Sequence, residues 1–142
     1  MKRIVRSAIV ECGADDFYDL VAAIESYPEF LPWCVAAEIH ETAPGRTVAT
    51  LALAAKGLRY SITTENTHAR GQSIDMRLVE GPFRHFSAAW RFTPLGENAC
   101  KAEYSMQYEF SNRVVAAVLE PVFRRIADST VDAFTKRLPL AR

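Results

Sequence analysis

Cysteine is scarce in this sequence. Cys12, Cys34 and Cys100 are the only three, and none forms a C-x-x-C pair. That spacing supports neither a disulfide framework nor a zinc knuckle, and it suits a reducing compartment. There is no excess of one charge either. Lys plus Arg is 17 and Asp plus Glu is 17 in 142 residues, a formal net charge of zero. A partner held by bulk electrostatics is therefore disfavoured, and DNA is excluded from the expected partners. No apolar run approaches the ~20 residues of a membrane-spanning helix. Met1-Lys2-Arg3 opens like a signal peptide, but Arg6 and Glu11 interrupt the apolar stretch behind it. A cytoplasmic protein is the expectation.

Catalytic signatures are missing too. The sequence has no G-x-G-x-x-G, phosphate loop, G-x-S-x-G or H-E-x-x-H string. His40, His68 and His85 lie far from one another and from the cysteines. Each reads as a solvated surface residue, with His85 sharing the polar side of its strand with Ser87 and Arg91. Cys34 reads as a buried thiol, since nothing near it in sequence would lower its pKa. Asp15 and Asp16 read as helix-start residues. No metal site, no required cofactor and no catalytic centre are expected.

What is present is a globular composition, 49% hydrophobic and 11% aromatic. A chain of this length buries roughly two thirds of its unfolded surface, so residues 1–142 are expected to form one domain. Ile and Val between Arg3 and Glu11 predict a strand. Phe17, Leu20, Val21 and Ile24 then fall on one helical face. Tyr27-Pro28-Glu29-Phe30-Leu31-Pro32-Trp33 stops that helix near Ser26 and suggests a second short helical turn. Strands follow over Val35–Thr42, Arg46–Ala55, Leu58–His68, Ser73–Glu80, Phe86–Thr93 and Ala99–Phe110, with Lys56-Gly57 as a tight turn. The last strand sets Cys100, Ala102, Tyr104, Met106, Tyr108 and Phe110 on one face, against Lys101, Glu103, Gln107 and Glu109 on the other. Such a sheet is antiparallel with one wet face. Leu119, Phe123, Ile126, Thr130 and Phe134 recur at helical spacing. Ser111 or Asn112 would cap the start of that helix, and Pro121 should break or kink it before a long stretch to about Leu138. The fold class is α+β, a curved antiparallel sheet of six to seven strands wrapped around a long C-terminal helix.

The inward parity gathers Tyr60, Ile62, Met76, Leu78, Phe86, Trp90, Tyr104, Met106 and Tyr108, and the long helix adds Leu119, Phe123, Ile126 and Thr130. Phe30, Leu31 and Trp33 would close one end. Each of these residues reads either as plain core or as the wall of a cavity. Small inward residues (Ala88 and Ala102) and inward hydroxyls (Thr64 and Thr130) favour a cavity, because ligand pockets mix apolar walls with a few polar groups. Entry is expected between the Phe30–Trp33 segment and the helix around Phe123 to Thr130, where Pro28, Pro32 and Pro121 leave few backbone bonds to break.

The stretch Tyr27-Pro28-Glu29-Phe30-Leu31-Pro32-Trp33-Cys34, with Leu78-Val79-Glu80-Gly81-Pro82-Phe83, Trp90-Arg91-Phe92-Thr93-Pro94-Leu95 and Val131-Asp132-Ala133-Phe134-Thr135-Lys136-Arg137, resembles the START-related polyketide cyclase superfamily. Within it the chain is similar to coenzyme Q-binding proteins and to RatA ribosome-association toxins. The resemblance implies a helix-grip fold and non-enzymatic binding of ubiquinone or a related isoprenoid quinone or lipid, in support of respiratory electron transport. It also implies transient contact with the inner membrane. The alternative it implies is a toxin that binds the large ribosomal subunit and blocks subunit association. Arg124, Arg125, Lys136, Arg137 and Arg142 make the C-terminal segment locally basic, but Asp128 and Asp132 alternate with them, as on a salt-bridged helix face. Polyketide cyclase or aromatase chemistry, also found on this fold, ranks last because the inward positions are largely apolar.

Overall fold

Period-two alternation in the middle of the chain folds into one seven-stranded sheet. The computed structural model describes residues 1–55 and 57–141, of which 55 and 138–141 are described as backbone only. Lys56 and Arg142 lie outside the described residues, as does the side chain of Leu138. The strands are β1 (Lys2–Val10), β2 (Cys34–Ala43), β3 (Arg46–Ala55), β4 (Leu58–Ala69), β5 (Ser73–Glu80), β6 (Phe83–Pro94) and β7 (Cys100–Phe110). Helix α1 (Ala14–Ala22) and a 3-10 helix (Ile24–Glu29) sit between β1 and β2, and α2 (Arg113–Ala141) closes the chain.

The sheet order is β1-β7-β6-β5-β4-β3-β2, and all its paired strands are antiparallel. Chain neighbours β2 to β7 pair as successive hairpins, while β1 joins from the far end of the sequence with Lys2 opposite Tyr108 and Val10 opposite Cys100. The parity expected for the last strand holds. Cys100, Ala102, Tyr104, Met106, Tyr108 and Phe110 are all buried, and the residues between them are half-buried or exposed.

Helix α1 starts at Gly13 without a side-chain cap, its Asp15 and Asp16 in the first turn. A Cβ on Gly13 would stand 2.8 Å from the Glu97 carbonyl oxygen, so the close approach of that loop needs glycine there. The helix ends at Ala22, earlier than the proline spacing alone indicates. The chain tightens into the 3-10 helix through Ser26 N–H to Ala23 O at 3.0 Å.

Helix α2 lies on the apolar face. Leu119, Phe123, Ile126, Ala127, Thr130, Val131 and Phe134 are buried, and Arg124, Asp128, Asp132 and Lys136 are exposed. Asn112 caps its start, accepting the Val115 N–H at 2.9 Å. The break expected at Pro121 is absent, and the helix runs through it. Proline withholds one N–H from the Ala117 carbonyl. Both residues are on the exposed side of the helix, where water can donate to that carbonyl instead.

Candidate functional site

Aromatic rings from the sheet and α2 fill most of the space between them. Towards the C-terminal end of α2, Trp90 stacks on Phe92 at 5.9 Å and lies 4.9 Å from Tyr104, with Phe134 edge-on at 5.6 Å. Towards its start, Phe123 meets Phe83 at 5.2 Å, Phe110 at 5.6 Å and Tyr108 at 5.7 Å. Leu31, Met106 and Leu119 are 1% exposed and Tyr108 is fully buried. Of the residues expected to line a cavity, Leu31, Tyr104, Met106, Tyr108, Leu119 and Phe123 are packed in this core. Thr130 spends its hydroxyl proton on the Ile126 carbonyl one turn back, which leaves it little to offer a ligand.

A small interior cavity of about 100 Å³ remains beside Val21, Ile24, Tyr27, Ile74, Met76 and Trp90. Its polar end comes from Thr47, Asn66 and His68. His68 is half-buried, with Nδ1 3.0 Å from the Tyr18 hydroxyl and Nε2 3.1 Å from Thr47 Oγ1. A neutral imidazole donates from one nitrogen and accepts at the other, so both are engaged. The surface position expected for His68 is thus corrected. It shares even parity with Ile62, Thr64 and Asn66 on β4, and its residue type outweighed that signal. His40 and His85 are exposed, as expected. Asn66, buried to 5% exposure, accepts from Thr64 Oγ1 at 2.7 Å. Burial raises the Tyr27 and Tyr104 hydroxyls above the usual tyrosine range. Tyr27 donates to the Val21 carbonyl, but Tyr104 reaches only the Met106 sulfur at 4.0 Å. Tyr108 Oη is buried with no partner among the described residues, and burial together with Glu120 raises its pKa.

A second concavity, about 350 Å³, opens between the start of β2 and α2. Pro32, Trp33 and Ala54 line one side, and Pro121, Val122, Arg125, Ile126 and Ser129 the other. It occupies the place expected for an entrance, with two corrections. Phe123 does not reach it, because Val122, Arg125, Ile126 and Ser129 form one helical face and Phe123 turns about 100° away, into the core. The Phe30 side of the segment is no loose flap. Phe30 and Leu31 N–H groups both bond the Tyr27 carbonyl, Trp33 O accepts from Ala54 N–H, and Phe30 lies edge-on to Phe134. Trp33 Nε1 is buried with no acceptor among the described residues. Such an orphan donor costs about 1–3 kcal/mol. Of the remaining candidates, Ile62 is buried in the core, and Tyr60, Leu78 and Phe86 are half-buried at its margin.

Residues 10–135 match a family model described as polyketide cyclase / dehydrase and lipid transport. The chain belongs to this family. It is 39% identical over 137 residues to the ribosome association toxin RatA of Escherichia coli, covering 96% of this chain and 87% of that protein. A more distant relative is the mitochondrial coenzyme Q-binding protein COQ10 homolog B of Xenopus laevis, 23% identical over 135 residues, covering 92% of this chain and 55% of that protein. Two solved structures fix the fold as START-like. One is the Zhui aromatase/cyclase from Streptomyces sp. R1128, with TM-score 0.80, 19% identity and coverage of 95% and 92% of the two chains. The other is a START superfamily protein from Mycobacterium smegmatis, with TM-score 0.75, 20% identity and coverage of 96% and 93%.

The same fold carries an aromatase/cyclase, so the reactive groups of this chain matter. Cys12, Cys34 and Cys100 are buried. Burial raises the Cys34 thiol, whose Sγ donates to the Ala36 carbonyl at 3.4 Å, and raises Cys100 as well. Among the described residues no group of three or more His, Cys, Asp or Glu side chains could hold a metal ion, and no helix is long and apolar enough to cross a membrane. The basic residues of α2 are mostly paired. Arg124 meets Glu120 at 3.5 Å, Lys136 meets Asp132 at 3.0 Å and Arg137 meets Glu29 at 2.7 Å. Asp128 turns instead to Arg6 of β1, at 2.6 Å.

Proposed function

We propose that this chain associates with the ribosome, as the name of its RatA relatives says of them, through a START-like body that performs no chemistry of its own. The end-to-end likeness to RatA, 39% identical across 96% of this chain, carries this reading. The filled core supports it. The interior cavity beside Trp90, about 100 Å³, is well below the roughly 300–1,000 Å³ of ordinary ligand pockets, so it does not suit enclosure of a long-tailed lipid. The balanced charge means that docking would rest on local surface groups rather than on a basic field. Pelleting purified protein with ribosomes tests the proposal, with recovery of the protein in the pellet as the expected result. Cys34→Ser and His85→Ala should leave that recovery unchanged, since neither group is placed to react.

A second reading is binding of a hydrophobic molecule, an isoprenoid quinone or related lipid, at transient contact with a membrane. The Tyr108 hydroxyl, buried with no partner among the described residues, favours it, because a carbonyl-bearing ring would supply an acceptor. Organic extraction of the protein from its native host, followed by mass spectrometry, would recover such a molecule. Polyketide cyclisation has less support. His68 and Tyr27, the titratable groups at the interior cavity, are both engaged in hydrogen bonds within the protein.

A further inference from the structure

We infer that the groove between Trp33 and α2 binds a long-chain carboxylate, with Arg125 as its counter-ion. This goes beyond the ribosome reading and does not rest on it. The groove measures about 350 Å³, inside the range of small-molecule sites. Pro32, Pro121, Val122 and Ile126 give it apolar walls suited to a hydrocarbon chain, and no carboxylate lines it.

Its one charged group is a cation, Arg125. Neighbouring cations on α2 have acidic partners: Arg124 has Glu120, Lys136 has Asp132 and Arg137 has Glu29. The nearest acidic residue along the helix, Asp128, is taken by Arg6. Arg125 pairs with no carboxylate among the described residues, although it stands on the rim of an apolar groove. Opposite it lies the Trp33 ring, whose indole N–H is covered and has no acceptor among the described residues. Ser129 donates its hydroxyl proton to the Arg125 carbonyl at 2.7 Å, so that oxygen offers only lone pairs. A cation beside an apolar wall calls for an amphiphile whose head is anionic. A carboxylate is such a head, and its contact with guanidinium is charge-assisted. A neutral quinone carbonyl would leave the Arg125 charge uncompensated. The indole nitrogen is covered by its surroundings, so the head meets Arg125 and the hydrocarbon chain lies against the Trp33 ring.

The test is titration of the full chain with decanoate and, separately, with decanol, which has the same chain length and no charge. Binding is followed by calorimetry and by the indole N–H resonances of the two tryptophans. Decanoate should bind at least about tenfold more tightly than decanol, and it should move the Trp33 resonance while leaving that of Trp90, deep in the core, in place. Arg125 is exposed, so Arg125→Gln should fold normally. It should bring decanoate affinity down to that of decanol and leave decanol unchanged. Val122→Asp should weaken both ligands. Equal affinity for the two ligands, no binding of decanoate, or unchanged decanoate affinity in Arg125→Gln would each overturn the inference. Ribosome pelleting of the same Arg125→Gln protein keeps the two readings apart, because either can fail while the other stands.

Discussion

Phe30 and Phe134 meet edge-to-face with ring centroids 5.2 Å apart. Through this contact the proline-bracketed segment after the 3-10 helix is held against the C-terminal part of α2. Tyr27 adds a second edge contact to Phe134 at 5.4 Å, and the Arg137 guanidinium lies 4.9 Å from the Phe30 ring centre while pairing with Glu29. A segment whose prolines remove backbone donors is fixed by these side chains together with its backbone bonds to Tyr27 and Ala54.

Phe134→Ala should therefore be among the most damaging single changes. It empties a site between Tyr27, Phe30 and Trp90, and comparable core truncations cost about 3–5 kcal/mol. Arg137→Ala removes one ion pair, to the exposed Glu29, and one cation–π contact, together worth about 1 kcal/mol. Urea denaturation of the two variants should show this order, with a much lower midpoint for Phe134→Ala.

His68→Ala should cost about 2 kcal/mol, because the Tyr18 and Thr47 hydroxyls lose their shared partner and the interior cavity enlarges. Thermal unfolding would measure the loss. Association with ribosomes at a temperature where the variant is folded should be unchanged, since His68 faces inward.

Glu65 sits on the outer face of the sheet between Arg46 and Arg77, whose hydrogen bonds hold its carboxyl below the usual carboxylate range. A lowered pKa in the folded state stabilises above the unfolded value of about 4.3. That contribution fades as pH falls through the folded pKa. The wild type should therefore be more stable than Glu65→Gln at neutral pH, and the gap should close as the pH drops below about 4. Urea midpoints at neutral and acid pH would show it.

The thiols carry the opposite sign. Burial raises Cys34 and Cys100, so their contribution is complete below the unfolded thiol value of about 8.5 and is lost as pH rises beyond it. Native protein near neutral pH should react slowly with an aromatic disulfide reagent at all three cysteines, and quickly once unfolded. Fast stoichiometric labelling of Cys34 in folded protein would contradict the buried-thiol reading.

The sheet was legible because its alternation is strict. Tyr104, Met106 and Tyr108 could face only one way once Lys101 and Glu103 faced the other. The asparagine cap of α2 was equally readable. A break does not follow from Pro121, because the Ala117 carbonyl it leaves without an N–H lies on the exposed side, where water can serve it. Periodicity gives the buried face of α2, Ile126 included, but not which residue beside it borders the groove, so Phe123 is expected where Val122 stands. His68 was missed by weighing residue type above strand parity. Trp33 was placed correctly beside α2, but its unsatisfied indole N–H depends on contacts that no sequence pattern carries.

Sucrose-gradient sedimentation of purified protein mixed with ribosomes and their separated subunits tests the central claim most directly. We expect the protein to migrate with ribosomal particles, to be released as salt is raised, and to retain this behaviour in Cys34→Ser. Protein that stays at the top of the gradient at low salt, with every ribosomal species present, would contradict the ribosome reading.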